Sequence, residues 1–81
     1  MKYNETKKYI LETLEESDMD ARSIYKILSE STDISIKAVQ MALLRYYRWG
    51  LLERARDDGI YNYGITDKGI ERLKWLREVQ G

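Results

Sequence analysis

The chain has no cysteine, no histidine and no proline in its 81 residues. Without cysteine there are no disulfides and no thiol chemistry. Without either residue there is no Cys/His zinc site, and the usual general base is missing. Long apolar runs are also absent. Nothing approaches the roughly 20 residues a membrane span needs, so no membrane partner is expected. The opening stretch from Met1 to Lys8 is polar and lacks the apolar core of a signal peptide, so the expected location is the cytoplasm. Net charge is zero as well, with 14 basic and 14 acidic residues.

What remains is typical of a soluble globular chain, with 43% apolar and 35% charged residues spread from end to end. A chain this short forms one domain, residues 1–81, with little room for an enclosed active site. Charge is unevenly placed. From Met1 to Met19 there are three basic residues (Lys2, Lys7, Lys8) and five acidic ones (Glu5, Glu12, Glu15, Glu16, Asp18). From Ile34 to Gly50 there are three basic residues (Lys37, Arg45, Arg48) and no acid. A neutral molecule can therefore still present one basic element to phosphates.

Hydrophobic periodicity predicts four helices and one hairpin. Asn4 is read as the cap of the first helix, which runs to about Glu16 with Ile10, Leu11 and Leu14 facing inward. Asp20 caps the second, whose inner face is Ala21, Ile24 and Leu28, flanked by Ile27. Ser29 to Asp33 reads as a turn. Ser35 caps the third helix, and Ile34 and Val39 form a hydrophobic staple across its start. Gly50 ends it, at the position where a left-handed residue is wanted. Val39, Leu43 and Tyr46 then share an inward stripe, edged by Ile36, Ala42 and Tyr47, while Lys37, Met41, Leu44, Arg45 and Arg48 fall opposite.

Leu51 to Arg56 and Ile60 to Ile65 read as strands joined at Asp58-Gly59, a strong signal for a two-residue turn. That register pairs Arg56 with Tyr61, Arg54 with Tyr63 and Leu52 with Ile65; a longer loop including Asp57 would shift it. Arg54 and Arg56 then stack on their tyrosine neighbours and stiffen the hairpin. Tyr46, Tyr47 and Tyr63 are expected partly in the core, with their hydroxyls at the surface. Thr66 caps the fourth helix, which carries Ile70, Leu73, Leu76 and Val79.

Two stretches resemble winged helix-turn-helix regulators. Ser35-Ile36-Lys37-Ala38-Val39 through Gly50-Leu51-Leu52-Glu53-Arg54 resembles their recognition helix and first wing strand. Tyr63-Gly64-Ile65-Thr66-Asp67-Lys68-Gly69-Ile70 resembles their return from the wing, a Tyr-x-Leu-Thr-x-x-Gly pattern. Asp20-Ala21-Arg22-Ser23-Ile24 is similar to the start of their second helix. The MarR, ArsR and PadR groups and many small archaeal or archaeal-virus regulators share this plan.

The resemblance implies an α+β fold: a three-helix core, a two-stranded hairpin wing and a C-terminal helix. It also implies duplex DNA as partner, with the third helix in the major groove and the wing on the adjacent backbone. The DNA-facing residues would be Ser35, Ile36, Lys37, Gln40, Met41, Arg45 and Arg48, with Arg54 and Arg56 on the wing. Gln40 suits paired hydrogen bonds with adenine. Met41 and Leu44 place apolar bulk on that face, and Asp57 and Asp58 place negative charge at the wing tip. These features suit an alternative role, a winged helix serving as a protein-interaction module in a larger assembly.

Catalysis is not expected, nor are a cofactor, a metal or a small-molecule ligand. Glu12, Glu15 and Glu16 have no partner chemistry, and Ser29, Ser31 and Ser35 have no histidine to activate them. Gly64-x4-Gly69 lacks the ending of a phosphate loop. The fourth helix carries more apolar surface than one docking face needs. Trp75, Leu76 and Val79 therefore suggest a homodimer interface, unless Trp75 folds back on Tyr3 or Tyr9.

Overall fold

The computed structural model describes residues 3–80, with the elements α1 (Tyr3–Glu16), β1 (Met19–Asp20), α2 (Ala21–Ser29), α3 (Ile36–Arg48), β2 (Leu52–Asp57), β3 (Ile60–Ile65) and α4 (Asp67–Gln80). This is the expected α+β arrangement of helices with a hairpin. One element is new. Met19 and Asp20 form a short strand that makes the sheet three-stranded, in the order β1-β3-β2. It pairs antiparallel with β3, Met19 opposite Tyr63 and Asp20 opposite Asn62.

In α1, Lys7, Ile10, Leu11 and Leu14 are buried. They are spaced i, i+3, i+4, i+7, so all lie on one face of the helix. Against them pack Ile24 and Leu28 of α2, Val39, Ala42, Leu43 and Tyr46 of α3, Leu51, Leu52 and Tyr63 of the hairpin, and Leu73 and Leu76 of α4. Tyr46 lies deeper than expected, with no exposed surface, while Tyr47 stays at the surface. Asn4 lies inside α1, which is already helical at Tyr3, so it is not the cap.

The helix starts at Asp20 and Ser35 are as expected. The Asp20 carboxylate accepts from the Ser23 amide at 2.9 Å and the Ser35 hydroxyl oxygen from the Ala38 amide at 3.1 Å. The Ser23 side-chain and backbone bonds hold the Asp20 carboxyl below its ordinary range. α3 ends in a full Schellman motif. Gly50 has φ of +79°, its amide donates to the Tyr47 carbonyl, and the Leu51 amide donates back to the Tyr46 carbonyl.

The end of α3 is then tied to the start of α4. The Thr66 hydroxyl donates to the Gly50 carbonyl at 2.6 Å, and its oxygen accepts from the Gly69 amide at 3.0 Å. Lys68 Nζ donates to the Trp49 carbonyl at 2.9 Å. A side chain at Gly69 would run into the Leu51 carbonyl and Ile65. The Thr-x-x-Gly pattern is thus the joint that seats α4 on the core.

The hairpin follows the two-residue turn. Asp58 and Gly59 both have positive φ, 54° and 81°, as a type I′ turn requires. The register pairs Leu52 with Ile65, Arg54 with Tyr63, Arg56 with Tyr61 and Asp57 with Ile60. β2 begins at Leu52 rather than Leu51, because Leu51 is used in closing α3.

Candidate nucleic-acid interface

Once its inward stripe is buried, α3 leaves a long outer face, and no acidic residue lies on the helix. Lys37, Gln40, Met41 and Arg48 are exposed there, while Ile36 and Leu44 are half-buried at its margins. Met41 is the most open apolar residue of the face, 57% exposed. Ser35 stands exposed at the N-terminal end, its oxygen engaged by the helix cap.

The two shoulders of α3 differ. On the wing side Tyr47 meets Arg54, whose guanidinium lies 4.1 Å from the Tyr47 ring centroid and 4.1 Å from that of Tyr61. Arg54 therefore sits between the helix and the wing, and a hydrogen bond with the Tyr63 side chain raises its pKa further. Arg56, one pleat further out, is exposed and lies 5.7 Å from the Tyr61 centroid. Because side chains alternate along a strand, Arg54 and Arg56 share one face of β2, and Glu53 and Asp57 belong to the other. The wing is thus basic on the face that carries the tyrosines, with Asp58 exposed at its tip.

The opposite shoulder is arranged otherwise. Arg45 is half-buried, with its guanidinium 5.7 Å and 5.9 Å from the centroids of Tyr46 and Trp49. It borders a recess with Thr6, Asp33 and Ile34, away from the face carrying Lys37, Met41 and Arg48. Lys37, Gln40, Met41 and Arg48 thus share the open face of α3, Arg54 braces the wing to that helix through Tyr47, and Arg45 lies on the other shoulder, beside Thr6 of α1.

Two residues that matter here were missed from sequence. Tyr47 was read as a helix-edge residue, and its role as the far wall of the Arg54 stack depends on where the wing lands. Lys7 is only 4% exposed. Its spacing from Ile10, Leu11 and Leu14 puts it on the buried face of α1, a signal the sequence carried.

On α4, Leu76 has no exposed surface and belongs to its own chain's core, so it cannot offer a contact to a second subunit. Trp75 and Val79 are 47% and 56% exposed. The Arg72 guanidinium lies 5.6 Å from the Trp75 centroid. Tyr9 is also half exposed, and the side chain of Tyr3 lies outside the described residues. Glu12 and Glu15 do have a partner: Arg77 bridges them at 3.4 and 2.9 Å, linking α4 to α1 at the surface.

Among the described residues no group of acids could hold a metal ion, and no helix is long and apolar enough to cross a membrane.

No protein-family model and no curated protein matches the chain. Solved structures do match in fold. The chain is similar to hsRosR-S1, seen in a complex, at 22% identity over 93% of this chain and 70% of that one, TM-score 0.81. It is similar to a PadR family transcription regulator from hypervirulent Clostridium difficile at 20% identity, over 89% of this chain and 82% of the other, TM-score 0.79. It is also similar to a MarR family protein from Bacillus stearothermophilus, at 20% identity over 90% of this chain and 50% of that one, TM-score 0.74. The chain has the winged-helix fold that these structures share.

Proposed function

We propose that this chain is a non-catalytic, cytoplasmic regulator of transcription that binds duplex DNA. α3 enters the major groove and the wing lies on the adjacent backbone. The observation that carries the reading is the joint placement of two basic surfaces. The outer face of an acid-free α3 stands beside a wing whose basic face is braced to it through Tyr47, Arg54 and Tyr61. Lys37, Arg48 and Arg56 supply phosphate attraction, Gln40 supplies base readout, and Met41 contacts thymine methyls. Ser35 and Ile36 border the groove, and Arg45 acts by holding the α1 side of the helix. A second copy docks through Trp75 and Val79 of α4, pairing two half-sites.

The test is fluorescence anisotropy with mixed duplexes at several salt concentrations. Each phosphate contact contributes about 0.9 to the slope of log K against log salt. Arg48→Ala weakens binding to all sequences and flattens that slope by about one unit. Gln40→Ala costs about 1–3 kcal/mol at the preferred site and little elsewhere. No saturable binding at low salt would reject the reading. Sedimentation checks the dimer: Trp75→Glu leaves a monomer, and a wild type already monomeric at tens of micromolar removes this interface.

The exposure of Met41 favours one other reading, a protein-interaction module that uses the same face. In that case Met41→Asp abolishes partner capture, and the wild type has little duplex affinity at physiological salt.

A further inference from the structure

Where α3 ends, it forms a cleft of about 590 Å³ with α1 and the start of α4, lined by Lys7, Arg48, Trp49, Leu51, Lys68 and Arg72. Four of these six residues are cationic and none is acidic. They come from α1, from the end of α3 and the segment after it, and from α4, so the cluster is not one solvated helix face. Two of the cations are held in place. Lys7 is buried, with Nζ 5.0 Å from the Trp49 centroid and 5.9 Å from that of Tyr46. Lys68 is fixed by its bond to the Trp49 carbonyl. A neighbouring hollow shares Lys68 and Arg72 and adds Glu71 and Trp75.

Like charges gathered in a partly dehydrated cleft repel, and an anion placed among them removes that cost. Burial first, then the charges of Arg72 and Arg45, lower the Lys7 pKa, so repulsion from Arg72 across the cleft is a secondary part of that cost. The two arginines can each present a planar fork to paired oxygens, and the two lysines add point charges. Four cations call for a ligand with several negative charges, and the volume is that of a small-molecule site.

We propose that this cleft binds a small polyanion carrying a chain of phosphoryl groups, held by Lys7, Arg48, Lys68 and Arg72. The site is separate from the wing and from the N-terminal part of the α3 face; Arg48 alone is common to it and the proposed DNA surface, so Arg72 carries its test. The shared chemistry has two sources, an inorganic polyphosphate or a nucleoside polyphosphate.

The test uses the intact chain. Trp49 and Trp75 are its two tryptophans, so Trp75→Phe leaves Trp49 as the reporter inside the cleft. Inorganic tripolyphosphate is titrated against sodium chloride at matched ionic strength, with Trp49 fluorescence and thermal midpoint as readouts. Saturable quenching and a rising midpoint are expected with tripolyphosphate alone. Exposed Arg72→Ala weakens binding about tenfold or more, in line with loss of a charge-assisted hydrogen bond. Arg72→Gln, which keeps more of the side chain, does the same and serves if Arg72→Ala unfolds. Lys26→Ala, which removes one charge from the exposed side of α2, leaves affinity within about twofold.

A nucleoside triphosphate binding more tightly than tripolyphosphate assigns part of the recognition to the nucleoside, and equal binding assigns it all to the phosphates. A response that follows ionic strength alone overturns the proposal, as does equal loss in Arg72→Ala and Lys26→Ala. So does a duplex-binding loss in Arg72→Ala as large as its loss of tripolyphosphate binding, since the cleft would then be part of the DNA surface.

Discussion

On each shoulder of α3 a cation is stacked on aromatic rings. On the wing side Arg54 lies 4.1 Å from two tyrosine centroids at the surface. On the α1 side the buried Lys7 lies 5.0 Å from the half-exposed Trp49, in a cleft. The chemistry is alike, but the surroundings reverse its effect. Arg54 keeps contact with water and gains a tyrosine hydrogen bond, so its charged form is favoured. Lys7 has been taken out of water and faces Arg72 and Arg45, so its charged form is disfavoured. One stack braces a wing; the other holds positive charge where an anion would relieve it. A cation–aromatic contact therefore has no fixed worth, and its solvent and neighbours decide the sign.

Both shoulders depend on α4 and the wing being seated correctly, so the joint between them is where the largest effect is expected. Gly69→Ala places a methyl against the Leu51 carbonyl and Ile65. Backbone cannot move aside as a flexible side chain can, and the cost is about 3 kcal/mol. That is a large share of the roughly 4–12 kcal/mol that holds a domain of this size. Urea unfolding should show a lower midpoint with an unchanged slope. A midpoint equal to wild type would mean that α4 is not seated on Leu51 as described.

Arg54→Ala tests the wing side alone. An exposed cation–π contact is individually weak, and Arg54 makes two. A small stability loss is expected, well below that of Gly69→Ala, with faster hydrogen exchange in β2 and β3 and intact exchange protection in α1. A double-mutant cycle with Tyr47→Leu sharpens the point. A favourable coupling between Arg54 and Tyr47 is expected. Strict additivity would show that helix and wing are not braced through this pair.

These elements differed in how readily the sequence revealed them. The hairpin register was legible because Asp58-Gly59 fixes a turn, and a period of two then carries the pairing back to Leu52 and Ile65. The limits of α3 were legible because Ser35 and Gly50 do local chemistry that needs no tertiary partner. β1 was not, since two residues have no period and Met19 and Asp20 pair only because β3 passes alongside. Leu76 looked like surplus apolar surface, yet the buried stripe of α4 is Gly69, Leu73 and Leu76. Arg45 shared its helix with Lys37 and Arg48, but it lies on the shoulder facing α1. The cationic cleft was not legible, because Lys7, Arg48, Lys68 and Arg72 are scattered along the chain and meet only on folding.

The smallest expected effect belongs to Lys7, and its value lies in its sign. Lys7→Met keeps the length of the side chain and its packing on Trp49 while removing the charge. The lost cation–π attraction and the relieved burial and repulsion oppose each other. Stability at neutral pH should therefore stay within about 1 kcal/mol of wild type. The pH dependence separates the two terms. In the folded chain the Lys7 pKa lies below the ordinary value of 10.5. Between those two values the unfolded chain holds the proton more firmly than the folded one, so stability rises with pH across that window. Wild type should therefore gain on Lys7→Met as pH climbs through the lowered pKa toward 10.5, and the tyrosines common to both proteins largely cancel in the difference. Urea unfolding of the pair at pH values across that window gives the comparison. A difference that instead moves in favour of Lys7→Met would mean that folding favours the charged lysine, and the contrast between the two shoulders of α3 would fail.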